Sequence, residues 1–244
     1  MSEPTIYNPS IYKGNGVYKN GASGGGASIP DYLQTVEYID TSNYSEAMKN
    51  FALGGYISHT RSQNEYMVVK FIPKSLQEGV IFWNYDAFGA TNGNGPSELS
   101  MNSVGNFRGS MGQSNKQVSI STLDWNNVLT GSFNYNTYVA KVTDINGVSV
   151  TAQDNAKTRY AVAQSRIAIF GQLSSSPTNT FIGKIYDAKL YSDNELKIDI
   201  RMCRHKQTNK PYAIDIISGV ILANVSKDFN TDDYIEFGPD ITLE

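Results

Sequence analysis

Beyond residue 31 the sequence has one dominant rhythm, and its period is two. Phe51, Leu53, Gly55 and Ile57 alternate with Ala52, Gly54, Tyr56 and Ser58, the spacing at which side chains of an extended chain fall on one face. Residues 65–72 (EYMVVKFI) and 80–85 (VIFWNY) are denser apolar runs, expected as strands buried on both faces. Residues 117–122 alternate through Val118 and Ile120, and 127–135 continue the pattern. Residues 166–171 (RIAIFG) and 181–191 (FIGKIYDAKLY) add two more strands. Between 138 and 152, Tyr138, Ala140 and Val142 share a face matched by Val148, Val150 and Ala152. Asn146-Gly147 lies between them, a pair that supplies positive φ for a tight two-residue hairpin turn. Helical signal is confined to a short turn expected near residues 45–51. Strands spread over about 160 residues exceed an immunoglobulin unit of about 100. The expected fold is all-β: a two-sheet antiparallel jelly-roll sandwich.

Composition agrees. Of 244 residues 40% are hydrophobic, enough for a sizeable core, and the 16 Tyr and 10 Phe suit pleated sheets. Charged residues are only 18%, so Ser, Thr, Asn and Gly must carry much of the surface. A net charge of −3 without a clustered basic face excludes a nucleic-acid partner. Cys203 is the single cysteine, which rules out an intramolecular disulfide and a thiolate zinc site. The first residues, Met1-Ser2-Glu3-Pro4-Thr5, have neither the basic nor the apolar region of a signal peptide. No stretch approaches the ~18 apolar residues of a membrane span, so membrane insertion is not expected.

Residues 1–20 repeat an apolar–aromatic pair followed by turn formers: Ile6-Tyr7, Ile11-Tyr12 and Val17-Tyr18. They are too short to build a core. One reading is a disordered tail; the other, favoured by their apolar content, is a docking arm on a partner surface. Residues 21–30 form a Gly-rich linker ending in Ile29-Pro30. The jelly-roll domain is expected over 31–244, with an irregular C-terminal extension from about residue 192. That extension carries a basic patch (Arg201, Arg204, His205, Lys206, Lys210), an apolar stretch at 214–225 and an acidic end with Asp228, Asp232, Asp233, Glu236 and Asp240.

Two segments carry a family resemblance. After Ile29-Pro30 the chain reads Leu33-Gln34-Thr35-Val36-Glu37-Tyr38-Ile39-Asp40. The second begins Phe181-x-Gly183-Lys184-Ile185-Tyr186-x-x-Lys189-x-Tyr191 and continues through Asp199-x-x-x-Cys203-Arg204-x-Lys206. It then runs through Asp215-x-x-Ser218-Gly219 to Phe237-Gly238-Pro239. Over about residues 30–240 this resembles the laminin-G-like, concanavalin A-like domains of tailed-phage virion proteins and related bacterial surface proteins. Where that group continues its opening strand with a Gly turn and a second strand, this chain runs straight through Tyr38-Ile39-Asp40-Thr41-Ser42-Asn43-Tyr44.

The resemblance implies a structural protein of the virion, such as a head fibre, decoration or tail-fibre component, assembled in the host cytoplasm. Its arm would dock on a capsid or tail protein, and its body would bind a host-surface glycan or protein, as a homotrimer. The rival readings are a diverged glycan-active enzyme and a bacterial adhesin module of the same fold.

Catalytic chemistry finds little footing. A retaining glycosidase needs two carboxylates ~5–5.5 Å apart, and no Glu-x-Asp-x-Glu triplet occurs; Glu37 and Asp40, three apart, would face opposite sides of a strand. His59 reads as a surface residue, and His205 beside Cys203 lacks an orienting third group. Cys203 reads as a small core residue. Gly93-Asn94-Gly95 lacks what a phosphate loop requires. Asp144, Asp154 and Asn155 are the only calcium candidates, and turn residues bonding their own backbone explain them better. No cofactor, metal or catalytic residue is expected. A glycan site needs an exposed aromatic with amides beside it. Trp83, Asn84, Tyr85 and Asp86 with the Asn92/Asn94 loop are the first candidates, and Trp125 is the second, although the apolar run around Trp83 also fits a core.

Overall fold

A computed structural model describes residues 27–43, 51–57, 64–86, 97–111, 114–153, 165–172, 180–225 and 234–243. The arm, most of the linker and the helical turn expected near 45–51 lie outside them. Among the described residues there is no α-helix, and the chain is built from short strands. In chain order these are β1 (Leu33–Thr35), β2 (Ile39–Asp40), β3 (Leu53–Ile57), β4 (Glu65–Pro73), β5 (Gly79–Asp86) and β6 (Ser97–Met101). Next come β7 (Asn106–Met111), β8 (Ser114–Ser119), β9 (Leu129–Asn134), β10 (Val139–Thr143), β11 (Ser149–Gln153) and β12 (Ser165–Ile169). The last are β13 (Gly183–Ser192), β14 (Glu195–His205), β15 (Pro211–Asp215), β16 (Ile221–Asn224) and β17 (Glu236–Phe237).

Every ladder is antiparallel, and the strands form one continuous hydrogen-bonded ribbon that doubles over into two layers. The first sheet runs β8-β7-β6-β5-β12-β3-β16-β15. The second runs β14-β13-β4-β9-β10-β11. The β14–β15 hairpin joins them, and β1 and β2 add to β14 and β13. The result is the expected jelly-roll sandwich.

The period of two explains the core. In β4, Met67, Val69 and Phe71 point inward and are fully buried, while Tyr66, Val68, Lys70 and Ile72 form the outer face. This strand was expected to be buried on both faces; only its inner face is. In β5 Val80 to Asn84 are all buried, Ile81 and Phe82 in the main core and Val80 and Trp83 against Ala168 on the other side. The layers interlock through paired glycines and phenylalanines. Phe107 of the first sheet packs over Gly131 of the second, and Phe133 of the second packs over Gly109 of the first. Phe107 also stacks on Phe71, with ring centroids 5.8 Å apart.

Two expectations are corrected. The 138–152 hairpin exists, with Val142 opposite Val150 and Ala140 opposite Ala152, but its turn is not a two-residue one. Asp144 N–H donates to the Val148 carbonyl, leaving Ile145, Asn146 and Gly147 as the loop, with only Gly147 at positive φ (81°). The Asp144 carboxylate selects this form by accepting the N–H groups of Asn146 and Val148. Residues 195–224 are not part of an irregular extension. β14, β15 and β16 are integral strands that place Ile198, Ile200, Met202, Ala213 and Leu222 in the main core. The basic patch is dispersed along them: Arg201 pairs with Asp199, and Arg204 grips Asp240 with two nitrogens.

Candidate functional site

The outer face of the second sheet carries the site. Register sets Tyr191 of β13 beside Tyr66 of β4, and Tyr66 beside Asn134 of β9. The Tyr66 and Tyr191 rings lie 6.0 Å apart, tilted by 44°. Val68 and four asparagines, Asn64, Asn134, Asn136 and Asn194, complete the lining of an open cleft of about 700 Å³.

Each amide has a local reason for its place. Asn194 follows Asp193 in the two-residue turn joining β13 to β14, where both residues have positive φ (65° and 51°). This is the tight hairpin turn expected at Asn146-Gly147, and Asp and Asn tolerate its left-handed backbone. Asn64 anchors the turn: its Nδ2 donates to Asp193 Oδ1 (3.0 Å), and its carbonyl accepts the Asp193 N–H. Asn134 Oδ1 accepts the N–H groups of Asn136 and Thr137, fixing the β9–β10 turn and leaving its Nδ2 hydrogens out of that motif.

The lining holds phenols, amides and one valine. Farther along the same face Lys70 lies 3.9 Å from Asp187, and Lys189 lies 4.0 Å from Asp199. Such a surface can stack against the apolar face of a ring and exchange hydrogen bonds with hydroxyls, because an amide both donates and accepts. It has no charged group with which to attract an ion.

A second tyrosine pair sits farther along β13. A bulge leaves Tyr186 unpaired between Ile185 and Asp187, turning it onto the outer face. It meets Tyr38 at 5.2 Å, with Lys184 Nζ 4.4 Å from the Tyr38 ring centroid and 3.7 Å from Asp40. Burial pushes the Tyr186 phenol above its ordinary value. Burial would lower Lys184, but Tyr38 and Asp40 outweigh it and hold the ammonium above its usual range.

The residues singled out from sequence fare differently. Trp83 is only 4% exposed and packs with Val80 and Ala168; Asn84 is fully buried on the inner face. Neither offers an exposed platform. The backbones of Tyr85 and Asp86 pair with Arg166 and Ser165. Trp125 is partly buried against the main core. Asn92, Asn94 and the arm residues Ile6, Tyr7, Ile11, Tyr12, Val17 and Tyr18 lie outside the described residues, as do His59, Asp154 and Asn155. Among the described residues no three His, Cys, Asp or Glu side chains converge as metal ligands.

Sequence reasoning missed Tyr66, Tyr191 and their asparagines. It also missed a polar cluster on the outer face of the first sheet. There the buried Glu98 carboxylate accepts from Ser100 Oγ (2.8 Å) and Gln172 Nε2 (3.0 Å), and pairs with Arg108. Arg108 commits that carboxylate to an ion pair.

No protein-family model matches the sequence, and no curated protein matches it. Solved structures do. The heptameric SAP-like pentraxin of Limulus polyphemus is 11% identical over 79% of this chain and 96% of its own, with a TM-score of 0.48. Domains LG4-5 of the mouse laminin alpha1 chain are 11% identical over 73% of this chain and 47% of theirs, TM-score 0.45. The enzymatically active domain of bacteriophage CBA120 tailspike protein 2 is 10% identical over 75% of this chain and 31% of its own, TM-score 0.43. The chain thus spans under half of the laminin fragment and under a third of the tailspike domain. It is similar to all three in the course of its backbone and is identified with none of them.

Proposed function

We propose that this chain is a non-enzymatic, carbohydrate-binding jelly roll that serves as a structural component of a tailed-phage virion. Residues 1–20 anchor it to a capsid or tail protein, and the sandwich meets a host-surface glycan, as a homotrimer. The observation that carries the binding role is the cleft in which Tyr66 and Tyr191 lie side by side among four asparagines. Sugars present apolar C–H faces ringed by hydroxyls. Aromatic faces flanked by neutral amides answer both halves of that chemistry. The virion role rests on the sequence motifs at 33–40 and 181–239 and on the apolar arm.

The test is glycan-array binding of the full chain, followed by calorimetry on any hit. Tyr66→Ala and Tyr191→Ala should each weaken binding about tenfold, the equivalent of ~1.4 kcal/mol. Wild-type affinity in both variants would move the site elsewhere. Immunogold labelling of purified particles should place the chain on head or tail, and unlabelled particles would discard the virion role.

A further inference from the structure

β13 contributes one tyrosine to each of the two pairs, both on the outer face of the second sheet. Tyr191 with Tyr66 stands at the end of β13 nearest the Asp193-Asn194 turn; Tyr186 with Tyr38 stands near its other end. Tyr191 is five positions beyond Tyr186, about 16 Å of extended chain at ~3.3 Å per residue. The bulge that turns Tyr186 outward interrupts an otherwise regular ladder to give this second pair its place. Bulges commonly re-aim a side chain beside a functional site. The track between the pairs holds Lys189, Asp187, Val68 and Lys70, with both lysines beside carboxylates. Lys184 at the far end is beside Asp40.

We infer that both tyrosine pairs contact one ligand, a linear, uncharged oligosaccharide laid along β13. This rests on the carbohydrate-binding reading of the Tyr66–Tyr191 cleft and adds the shape and charge of its ligand. A single sugar ring fills one pair only; a chain several units long reaches both. Each positive charge on the track already has a carboxylate partner, so an acidic glycan gains little there and an uncharged one loses nothing. The cleft's asparagines and phenols recognise hydroxyls without regard to charge.

The experiment is calorimetry of the full chain against cello-, malto- and chito-oligosaccharides from mono- to hexasaccharide. In the series that binds, affinity should climb with length and then level off once the chain spans both pairs. Tyr186→Ala should weaken the hexasaccharide about tenfold and leave the disaccharide unchanged, whereas Tyr66→Ala should weaken both. Tyr186→Phe, which keeps the ring, should bind like wild type, and thermal melts of every variant control for folding. If Tyr186→Ala is too unstable, Tyr186→Ser takes its place in the same comparison.

Length-independent affinity, or a Tyr186 variant that holds the hexasaccharide normally while Tyr66→Ala does not, overturns the inference and leaves the cleft standing. Binding confined to acidic glycans and steeply salt-dependent overturns the uncharged ligand. Failure of all three series, together with an empty glycan array, overturns the carbohydrate-binding reading itself.

Discussion

Gly109→Ala tests how the two sheets are held together. Gly109 lies on the inner face of β7, and Phe133 from the opposite sheet rests on it. A Cβ there would lie 2.6 Å from the Phe133 Cβ and closer still to two ring carbons, whereas carbon atoms pack at ~3.5–4.0 Å. Phe133 has little room to yield, since Tyr135 meets it edge-on at 4.8 Å and Tyr138 at 6.0 Å. Overpacking of this kind costs ~1–3 kcal/mol, offset by ~0.5–1 kcal/mol because alanine loses less backbone entropy than glycine. A clash with three atoms this close belongs at the upper end of that range, so the expected net loss is about 2 kcal/mol, or about 6 °C in Tm for a chain of this length. Thermal and urea unfolding measure it. A double-mutant cycle with Phe133→Leu should recover about 1 kcal/mol as coupling, because the shorter side chain vacates the space. An alanine variant that melts at or above the wild-type temperature would refute the interlocking of the layers. So would strict additivity in the cycle.

Three further outcomes are expected. Gly147→Ala meets no atom within 4 Å, so its cost is limited to the left-handed backbone, about 1 kcal/mol by urea unfolding; a loss as large as that of Gly109→Ala would mean the loop is packed. Cys203 is fully buried, and burial pushes its thiol up to about 12. A thiol reagent at neutral pH should therefore label it only in denaturant, and prompt native labelling would contradict that burial. Asp215 is buried and accepts from the backbone of Asp199, Ile217 and Ser218 and from Ser218 Oγ. Burial holds its carboxyl above the ordinary range, although those hydrogen bonds pull the other way. Its contribution is therefore fullest below the ordinary carboxylate pKa and declines as pH rises through the raised folded value. Asp215→Asn leaves Ser218 donors without an acceptor and should cost about 1–3 kcal/mol. The gap to wild type should narrow with rising pH across that window in urea titrations, and a widening gap would reverse the assignment.

What the sequence disclosed follows from locality. The strands from β3 to β13, apart from β6 and β7, could be read because apolar alternation is a property of neighbouring residues. The segment 195–205 also alternates, with Ile198, Ile200 and Met202 inward. The positions between them, however, hold Asp199 and Arg201, and Arg204 follows at the end of the strand, so that the charges draw attention to a patch instead of a strand. Those charges are matched by partners that only the fold supplies, Asp240 among them. The binding face was harder to see. Tyr66 and Tyr191 come from strands far apart in sequence and meet only through the β4–β13 register. Within its apolar run Tyr66 looked like core, because nothing local marks the outer face of β4 as open. A search for an aromatic beside amides leads to the tryptophans, of which Trp83 is buried and Trp125 partly buried. One cue was present: Asp193-Asn194, one residue beyond Tyr191, is a turn pair near an aromatic.

The opening and closing segments of the sandwich are stitched to each other. Thr35 Oγ1 donates to the Ile241 carbonyl across 206 residues of chain, the Ile241 N–H returns to Thr35, and Leu33 pairs with His205. During synthesis, β1 therefore leaves the ribosome well before the residues at 203–205 and 241 that partner it. Contacts this distant in sequence carry the loop-closure entropy that slows folding. Until those partners are made, the backbone donors and acceptors of β1 depend on water for their hydrogen bonds.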